Sequence, residues 1–251
     1  MKRIVLITGA TSGIGEATAR IMANSDFKLI LTGRRASRLE ALKKELSANT
    51  EIYTLTFDVR DKSAVNQAID SLSDDWQKID ILINNAGNAH GLAPFHEADL
   101  DDFDAMIDIN VKGLLYVSKK VVPGMVQRER GHIINIGSIA GKEVYPKGNV
   151  YCASKFAVDA INAGMRIDLN AYGIKVTEIN PGLVDTEFSD VRFKGDKDKA
   201  DKVYEGMAPL KGKDVAEVIY FALTRPDHVN ISELVIFPKA QASSTMVHRK
   251  N

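Results

Sequence analysis

Short uninterrupted runs of aliphatic residues recur along the chain, and most give way to stretches whose apolar positions return every three or four residues. The first run, residues 2–8 around Ile4-Val5-Leu6-Ile7, predicts a strand buried on both faces, as a parallel sheet requires. Glu16 to Ala23 then predicts a helix. Strands follow at Phe27 to Thr32 and Glu51 to Phe57, with an amphipathic helix over Ala36 to Ser47 between them. A helix over 61–72 precedes a strand at Ile79 to Ile83. Helices at 100–109 and 112–128 come next, interrupted at Asn110-Val111-Lys112-Gly113. The pattern closes with a strand at 131–136, a helix over 149–172, a strand at Gly173 to Asn180 that Pro181-Gly182 ends sharply, a helix at 213–224 and a strand at Leu234 to Phe237. Six strands alternating with helices, and the last one, predict an α/β architecture with one doubly wound parallel sheet. No repeat, low-complexity tract or linker marks a boundary, so 1–251 is expected to form a single domain. Residues 185–212 are charged but mixed in sign, with few aliphatics. They suit either a mobile flap over a pocket or a variable surface segment.

Composition narrows the function classes. With 251 residues, 45% of them hydrophobic, the chain can bury a sizeable core. Lys plus Arg number 33 and Asp plus Glu number 33, so the formal charge is zero. Neither a nucleic-acid surface nor a polybasic membrane anchor is suggested. The one cysteine, Cys152, rules out an intrachain disulfide and fits a reducing compartment. It adjoins Tyr151, but adjacent helical residues point in different directions, so it is expected to be a small packing residue. Met1-Lys2-Arg3 runs at once into a short apolar stretch with no cleavage site, and no run approaches the ~20 residues needed to span a bilayer. A cytoplasmic protein is expected. The histidines show no metal-ligand spacing, so no metal site is expected.

The chemistry-bearing residues stand mostly at the ends of strands. Thr8-Gly9-Ala10-Thr11-Ser12-Gly13-Ile14-Gly15 links a strand to a helix N-terminus, the arrangement that presents backbone N–H groups and a positive dipole end to phosphate. The next strand ends in Gly33-Arg34-Arg35, about 20 residues after the glycines, where a dinucleotide's adenosine ribose would lie. An acidic residue there would repel a 2′-phosphate; two guanidinium forks suit one, and favour NADP over NAD. Asp58-Val59 ends the third strand, and Asp58 is placed either to accept from an adenine amino group or to cap the next helix. Asn84-Asn85-Ala86-Gly87 closes the fourth, where open α/β sheets bind ligands. Asn110 in its helix break could hold a water or satisfy loose backbone groups. Ser138 follows the strand Ile133-Ile134-Asn135-Ile136. Tyr151 and Lys155, four residues apart, share one helix face. A hydroxyl, a phenol and an ammonium together can polarise a carbonyl and supply its proton, the cation bringing the phenol from its usual ~10 toward neutrality. On many helices the same spacing is merely a packed Tyr and a solvated Lys.

Taken together, Thr8-Gly9-x-x-x-Gly13-x-Gly15, Asn84-Asn85-Ala86-Gly87, Asn110, Ser138, Tyr151-x-x-x-Lys155 and Pro181-Gly182 resemble the short-chain dehydrogenase/reductases over nearly the whole chain. Gly33-Arg34-Arg35 and the segment Thr186 to Asp196 look like the NADP-dependent 3-hydroxy acid dehydrogenases, which act on serine, allo-threonine and related acids. The resemblance implies a Rossmann-like fold and specific roles. Gly9, Ser12, Ile14 and Gly15 would surround the pyrophosphate and adenosine ribose, Arg34 and Arg35 the 2′-phosphate, and Asp58 and Val59 the adenine. Asn85, Ala86 and Gly87 would line the ribose, and Pro181, Gly182, Val184 and Thr186 the nicotinamide carboxamide and diphosphate. Tyr151 would be the general acid/base and Lys155 would depress its pKa while bonding the nicotinamide ribose. Ser138 would fix the substrate oxygen, and Asn110 would support a water in the proton relay. A 3-hydroxy acid needs a cation for its carboxylate, for which Arg192 is the candidate. Assembly as a homodimer or homotetramer through the helices at 112–128 and 149–172 is implied as well. Competing readings are a broad NADPH-dependent carbonyl reductase, a 3-oxoacyl reductase on a carrier-bound thioester, and a non-catalytic NADP sensor. The neutral charge balance offers no clear docking patch for a carrier, and intact Ser138, Tyr151 and Lys155 count against a sensor.

Overall fold

A computed structural model describes residues 2–250. Its first half runs β1 (Arg3–Ile7), α1 (Gly13–Ala23), β2 (Phe27–Gly33), α2 (Ala36–Leu46), β3 (Ile52–Thr56), α3 (Lys62–Asp70), β4 (Ile79–Asn84), α4 (Leu100–Ile107) and α5 (Leu114–Gln127). The second half runs β5 (Gly131–Ile136), α6 (Asn149–Leu169), β6 (Ile174–Pro181), β7 (Val184–Asp185), α7 (Phe188–Arg192), α8 (Lys197–Lys202), β8 (Leu210–Lys211), α9 (Gly212–Leu223) and β9 (Glu233–Ile236). The seven-stranded sheet has the order β3-β2-β1-β4-β5-β6-β9. Every pairing in it is parallel, as the expected doubly wound sheet demands.

The aliphatic runs divide by the two-residue period of a strand. Val5 and Ile7 of β1, with Leu29, Leu31, Ile81 and Ile83, pack on the face covered by α1, α2 and α9. Ile4 and Leu6, with Ile30, Leu82 and Ile133, pack on the opposite face, against α3 and α5. Burying each such side chain stabilises the fold by ~1.5–3 kcal/mol, which is why runs apolar at every position are needed here and alternating ones are not. The strand order turns back between β1 and β4, so their connections leave toward opposite faces and open a crevice at the carboxyl ends.

One expectation requires correction. Residues Asp108–Gly113 do not break the helix: they form a π-helical turn that joins α4 to α5. Such a turn admits an extra residue without ending the helix. The segment 185–212 is also more regular than its composition suggests. It contains α7 and α8, and its ends are held by the two-stranded parallel pairing of β7 with β8. Among the described residues, no helix is long and apolar enough to cross a membrane.

Candidate active site

The crevice at the ends of β1 and β4 is drawn tight by side-chain bonds. Thr8 Oγ1 accepts from the backbone N–H groups of Asn85 (2.9 Å) and Ala86 (3.0 Å), and Asn85 Nδ2 donates to the carbonyls of Thr8 (2.8 Å) and Gly9 (3.1 Å). Only glycine fits where this stitching passes α1. A Cβ on Gly15 would lie 2.4 Å from Gly9 O and 2.5 Å from Asn85 Nδ2. Gly9 and Gly13 have φ of +67° and +55°, which side chains rarely adopt. Ser12 precedes α1 in extended conformation and makes no side-chain cap, so the first-turn N–H groups keep their anion-binding capacity. A cleft of about 400 Å³ extends from this turn to Tyr151. Gly9, Ser12, Ile14, Arg34, Arg35, Asp58, Val59, Asn85, Ala86, Gly87, Ser138, Tyr151, Lys155, Pro181, Gly182, Val184, Thr186 and Arg192 all line it. Gly15 and Asn110 do not reach the lining; they stand behind it and shape the wall. A cradle of close-packed glycines at a helix N-terminus, with cations at the adenosine end, fits a phosphorylated dinucleotide.

At that cationic end Asp58 does not cap α3. Asp61 does, accepting from Ser63 N–H (2.9 Å) and Ala64 N–H (3.0 Å). Asp58 is instead gripped by Arg60, with Arg60 Nη2 at 2.7 Å, while Arg34 Nη1 lies 3.7 Å away. Burial opposes its ionisation, but Arg60 and Arg34 hold its carboxyl below the usual range. Val59 packs against Gly113, where a Cβ would approach its Cγ2 to 2.7 Å, and so ties the Asp58 end of the cleft to the π turn. Arg34 is more than half exposed. Arg35 is less free than its position in the sequence suggests, because its Nε and Nη2 both donate to Thr11 Oγ1.

The acid–base end is built by β5, α6 and the π turn. Asn110 is buried and fully engaged: Oδ1 accepts from Asn88 N–H (2.9 Å), and Nδ2 donates to Asn88 O (2.8 Å) and Ser154 Oγ (3.0 Å). Of its two sequence readings, these bonds are the backbone-satisfying one. Ser138 Oγ accepts from Ala140 N–H, and Ser138 N–H donates to Asn180 Oδ1 (2.8 Å). Tyr151 packs edge-on to Phe188 of α7, ring centroids 5.6 Å apart.

Lys155 bonds the strand and not the phenol. Lys155 Nζ donates to Ile136 O (2.9 Å), at the end of β5. Burial pushes the Tyr151 phenol well above its ordinary value and Tyr145 adds to this, while Ser138 and Arg192 act the other way. Arg192, with its guanidinium carbon 5.7 Å from the Tyr151 ring centre, is the cation that bears on the phenol. Lys155 itself is lowered to about 8 by burial, which Glu178 partly offsets. Free lysine titrates at 10.5, so between pH 8 and 10.5 the unfolded chain binds more protons there than the folded one. Stability contributed by this site should therefore rise with pH across that window and be flat below it. Urea unfolding of wild type and Lys155→Met at pH 7.5 and 10 checks this; identical pH dependence in both would remove the assignment.

Several residues that bear on the site escape sequence reading. Tyr145 Oη accepts from Arg192 Nη2 (2.9 Å), and Arg192 Nε donates to Gly91 O (3.3 Å), so the cation is aimed by two loops far apart in sequence. Behind Ser138, Asn180 Nδ2 donates to Glu233 Oε1 (3.2 Å), and Lys142 Nζ lies 2.6 Å from Asp159 and 2.9 Å from Glu233. Glu178, in β6 beside the edge strand β9, is raised to about 7 by burial and by Asp159, against the pull of Lys142. A carboxylate amid Val176, Thr177 and Ile179 was the available signal. The expectation of no metal rests on the histidines. The fold instead groups the carboxylates of Asp159, Glu178 and Glu233 within 4.8 Å of one another, with the Lys142 ammonium beside them.

Comparison with known proteins agrees with this geometry. Residues 3–197 match the family model for short chain dehydrogenases. The chain is 48% identical over 248 residues to the NADP-dependent 3-hydroxy acid dehydrogenase YdfG of Salmonella typhi, covering 98% of this chain and 99% of that protein. It is 44% identical over 245 residues to sulfoacetaldehyde reductase 2 of Chromohalobacter salexigens, covering 97% of each. Its structure superposes on the closed form of serine dehydrogenase complexed with NADP+ with a TM-score of 0.92 and 48% identity, over 98% of this chain and 100% of that one. The chain belongs to the short-chain dehydrogenase family.

Proposed function

We propose that this chain is an NADP-dependent dehydrogenase of 3-hydroxy acids of the serine and allo-threonine kind, a single domain over 1–251 with residues 185–212 as its flap. The observation that carries the reading is the placement of Arg192: a guanidinium from the flap, held by Tyr145 Oη, beside the phenol that handles the proton. A substrate bearing a hydroxyl on one carbon and a carboxylate two atoms further on meets the phenol and the cation together. The arginines at the adenosine end support NADP, as does the NADP-dependence named for the 48% identical relative.

The nicotinamide supplies the hydride acceptor or donor when bound. The chain's own residues handle everything else. Ser138 Oγ holds the reacting oxygen, and Tyr151 takes its proton in oxidation or gives it in reduction. The elevated phenol makes Tyr151 a protonated acid at neutral pH, ready for the reductive direction, and a nearby cation must assist in the oxidative one. Lys155 would bond the nicotinamide ribose from below. Asn110 fixes the backbone of Asn88 beside Gly87, and a water held there would extend the proton path. The Tyr151–Phe188 contact closes the apolar side and limits water.

The test is NADP+ reduction by the purified protein with L-serine, L-allo-threonine, 3-hydroxyisobutyrate and 3-hydroxybutyrate, with neutral secondary alcohols as controls. Arg192→Gln should raise KM for the acids by about 10–100-fold, the worth of one charge-assisted bond, and leave KM for the alcohols nearly unchanged, while any loss of turnover from the missing cation beside Tyr151 is shared by both. Turnover of the alcohols but not of the acids would sink the proposal. A preference for a sulfonated aldehyde would keep the anion-binding role of Arg192 and change the acid.

Leu115, Phe156, Ile167 and Tyr172 lie exposed on or just after α5 and α6, which supports association through those helices. We propose a homodimer or homotetramer, which a light-scattering mass of one chain would exclude. Cytoplasmic residence is proposed from the lone, buried Cys152; cell fractionation checks it.

A further inference from the structure

Three arginines crowd the N-terminus of α2. Arg34 and Arg35 precede the helix and Arg38 lies in its first turn, which contains no acidic residue. Cations at this end of a helix add to its positive dipole, so the cluster calls for an anion. The structure supplies one from the flap. Glu187 Oε2 accepts from Arg35 Nη1 at 2.7 Å and Oε1 from Arg38 Nη1 at 2.5 Å. Arg35 and Arg38 are 152 and 149 residues away in the chain. The Arg35 fork is committed on its other side, where Nε and Nη2 both bond Thr11 of the glycine-rich turn. The Nη1 face given to Glu187 is therefore the face left for an incoming ligand. Burial opposes ionisation of Glu187, but Arg35 and Arg38 hold its carboxyl below the usual range, so it is charged at neutral pH.

The position of Glu187 links this pair to the rest of the cleft. Its neighbour Thr186 packs on Gly13, where a Cβ would meet the Thr186 side chain at 3.1 Å. Phe188, next along, packs on Tyr151. One short stretch thus touches the 2′-phosphate end, the pyrophosphate turn and the acid–base end.

We propose that Glu187 is a resident stand-in for the 2′-phosphate: carboxylate and phosphate are alternative occupants of the Arg35–Arg38 pair, so that NADP releases the flap's anchor and NAD leaves it in place. The inference rests on the NADP reading above. The exchange is set to favour the phosphate. Glu187, Arg35 and Arg38 are each 40–48% exposed, and ion pairs so open to water are weak and salt-screened. A phosphomonoester carries up to twice the charge and three acceptor oxygens for the same forks. Glu187 thereby lowers NADP affinity while it orders the flap without NADP, which makes it a specificity-determining residue opposed to the arginines beside it.

The test is calorimetric binding of adenosine 2′,5′-bisphosphate, AMP, NADP+ and NAD+ to wild type, Glu187→Gln and Glu187→Asp at low salt. Glu187→Gln keeps the shape and removes the charge. It should tighten the two 2′-phosphorylated ligands by roughly three- to tenfold, as expected from losing two exposed pairs, and change AMP and NAD+ by less than twofold. Glu187→Asp, too short to span both arginines, should shift binding in the same direction by less. Equal tightening of all four ligands would reduce Glu187 to a general charge effect and overturn the proposal, as would unchanged or weaker binding of the phosphorylated pair. Wild type that does not distinguish the bisphosphate from AMP would overturn the NADP reading and this inference with it. Wild type that does distinguish them, with an inert Glu187→Gln, would overturn the inference alone.

Discussion

Tyr151→Phe is expected to lose about 10²–10⁴-fold in turnover, the span that general acid–base catalysis supplies, and to bind the dinucleotide as wild type does. The substitution is clean because the ring stays. The edge contact with Phe188 and the Arg192 guanidinium above the ring depend on the aromatic face and not on the hydroxyl. Neither neighbouring acid is a ready proton acceptor, since burial pushes the Tyr145 phenol up as well. Tyr145 Oη is engaged by Arg192 Nη2, and Cys152, though adjacent in sequence, is buried and pushed up by burial. Single-turnover kinetics with a matched binding measurement distinguishes lost chemistry from lost affinity. Residual turnover within tenfold of wild type would mean that another group handles the proton, and the mechanism would have to be rebuilt around Ser138.

Gly15→Ala should produce the largest combined loss of stability and cofactor binding of any single methyl in the chain's glycine turn. The added carbon would sit 2.4 Å from a backbone carbonyl, Gly9 O, and that carbonyl is itself held by Asn85 Nδ2 at 3.1 Å. Neither can withdraw without opening the Thr8–Asn85 stitching that joins β1 to β4. Overpacking of this kind costs ~1–3 kcal/mol, occasionally more, and a widened turn no longer presents the N-terminus of α1 to a pyrophosphate. Urea unfolding and NADP+ calorimetry should show both effects. Gly164→Ala is the contrasting case: its Cβ meets nothing within 4 Å in one chain, so the roughly 0.5–1 kcal/mol gain of a helix-interior glycine is expected where α6 is free of a second copy. Native affinity in Gly15→Ala would mean that the turn does not carry the phosphate.

The fold was legible in the sequence because the inner strands β1, β2, β4 and β5 carry short, nearly continuous aliphatic runs, a pattern that a sheet covered on both faces satisfies. The nucleotide end was legible for a related reason: Gly9, Gly13 and Gly15 are local devices, and their spacing carries the geometry. Legibility failed where a side chain's partner lies far away. Nothing near Glu187 in the chain announces Arg35 and Arg38, and nothing near Arg192 announces Tyr145 or Gly91. Asp58 was ambiguous because two roles use one carboxylate, and Asp61, three residues later, removes one of them by capping α3. The π turn was read as a break because an extra residue disturbs the apolar period without unwinding the helix. Lys155 was read by its distance along α6 from Tyr151, and that distance does not disclose the bond its long side chain makes to Ile136 O. Helical spacing fixes where Cβ atoms point; it does not fix where four methylenes end.

The tether of Ser138 has a consequence for biosynthesis. Its backbone hangs on Asn180, Asn180 leans on Glu233, and Gln241 reaches back to Leu183 N–H at 2.8 Å. A nascent chain has β1 to β4, with the whole glycine turn, outside the ribosome long before Glu233 is made. Ser138 itself precedes α6, yet the strand whose Glu233 steadies it through Asn180 is made well after it. The tether of Ser138 is therefore completed only when β9 docks beside β6, after the glycine turn has its own strands to fold on.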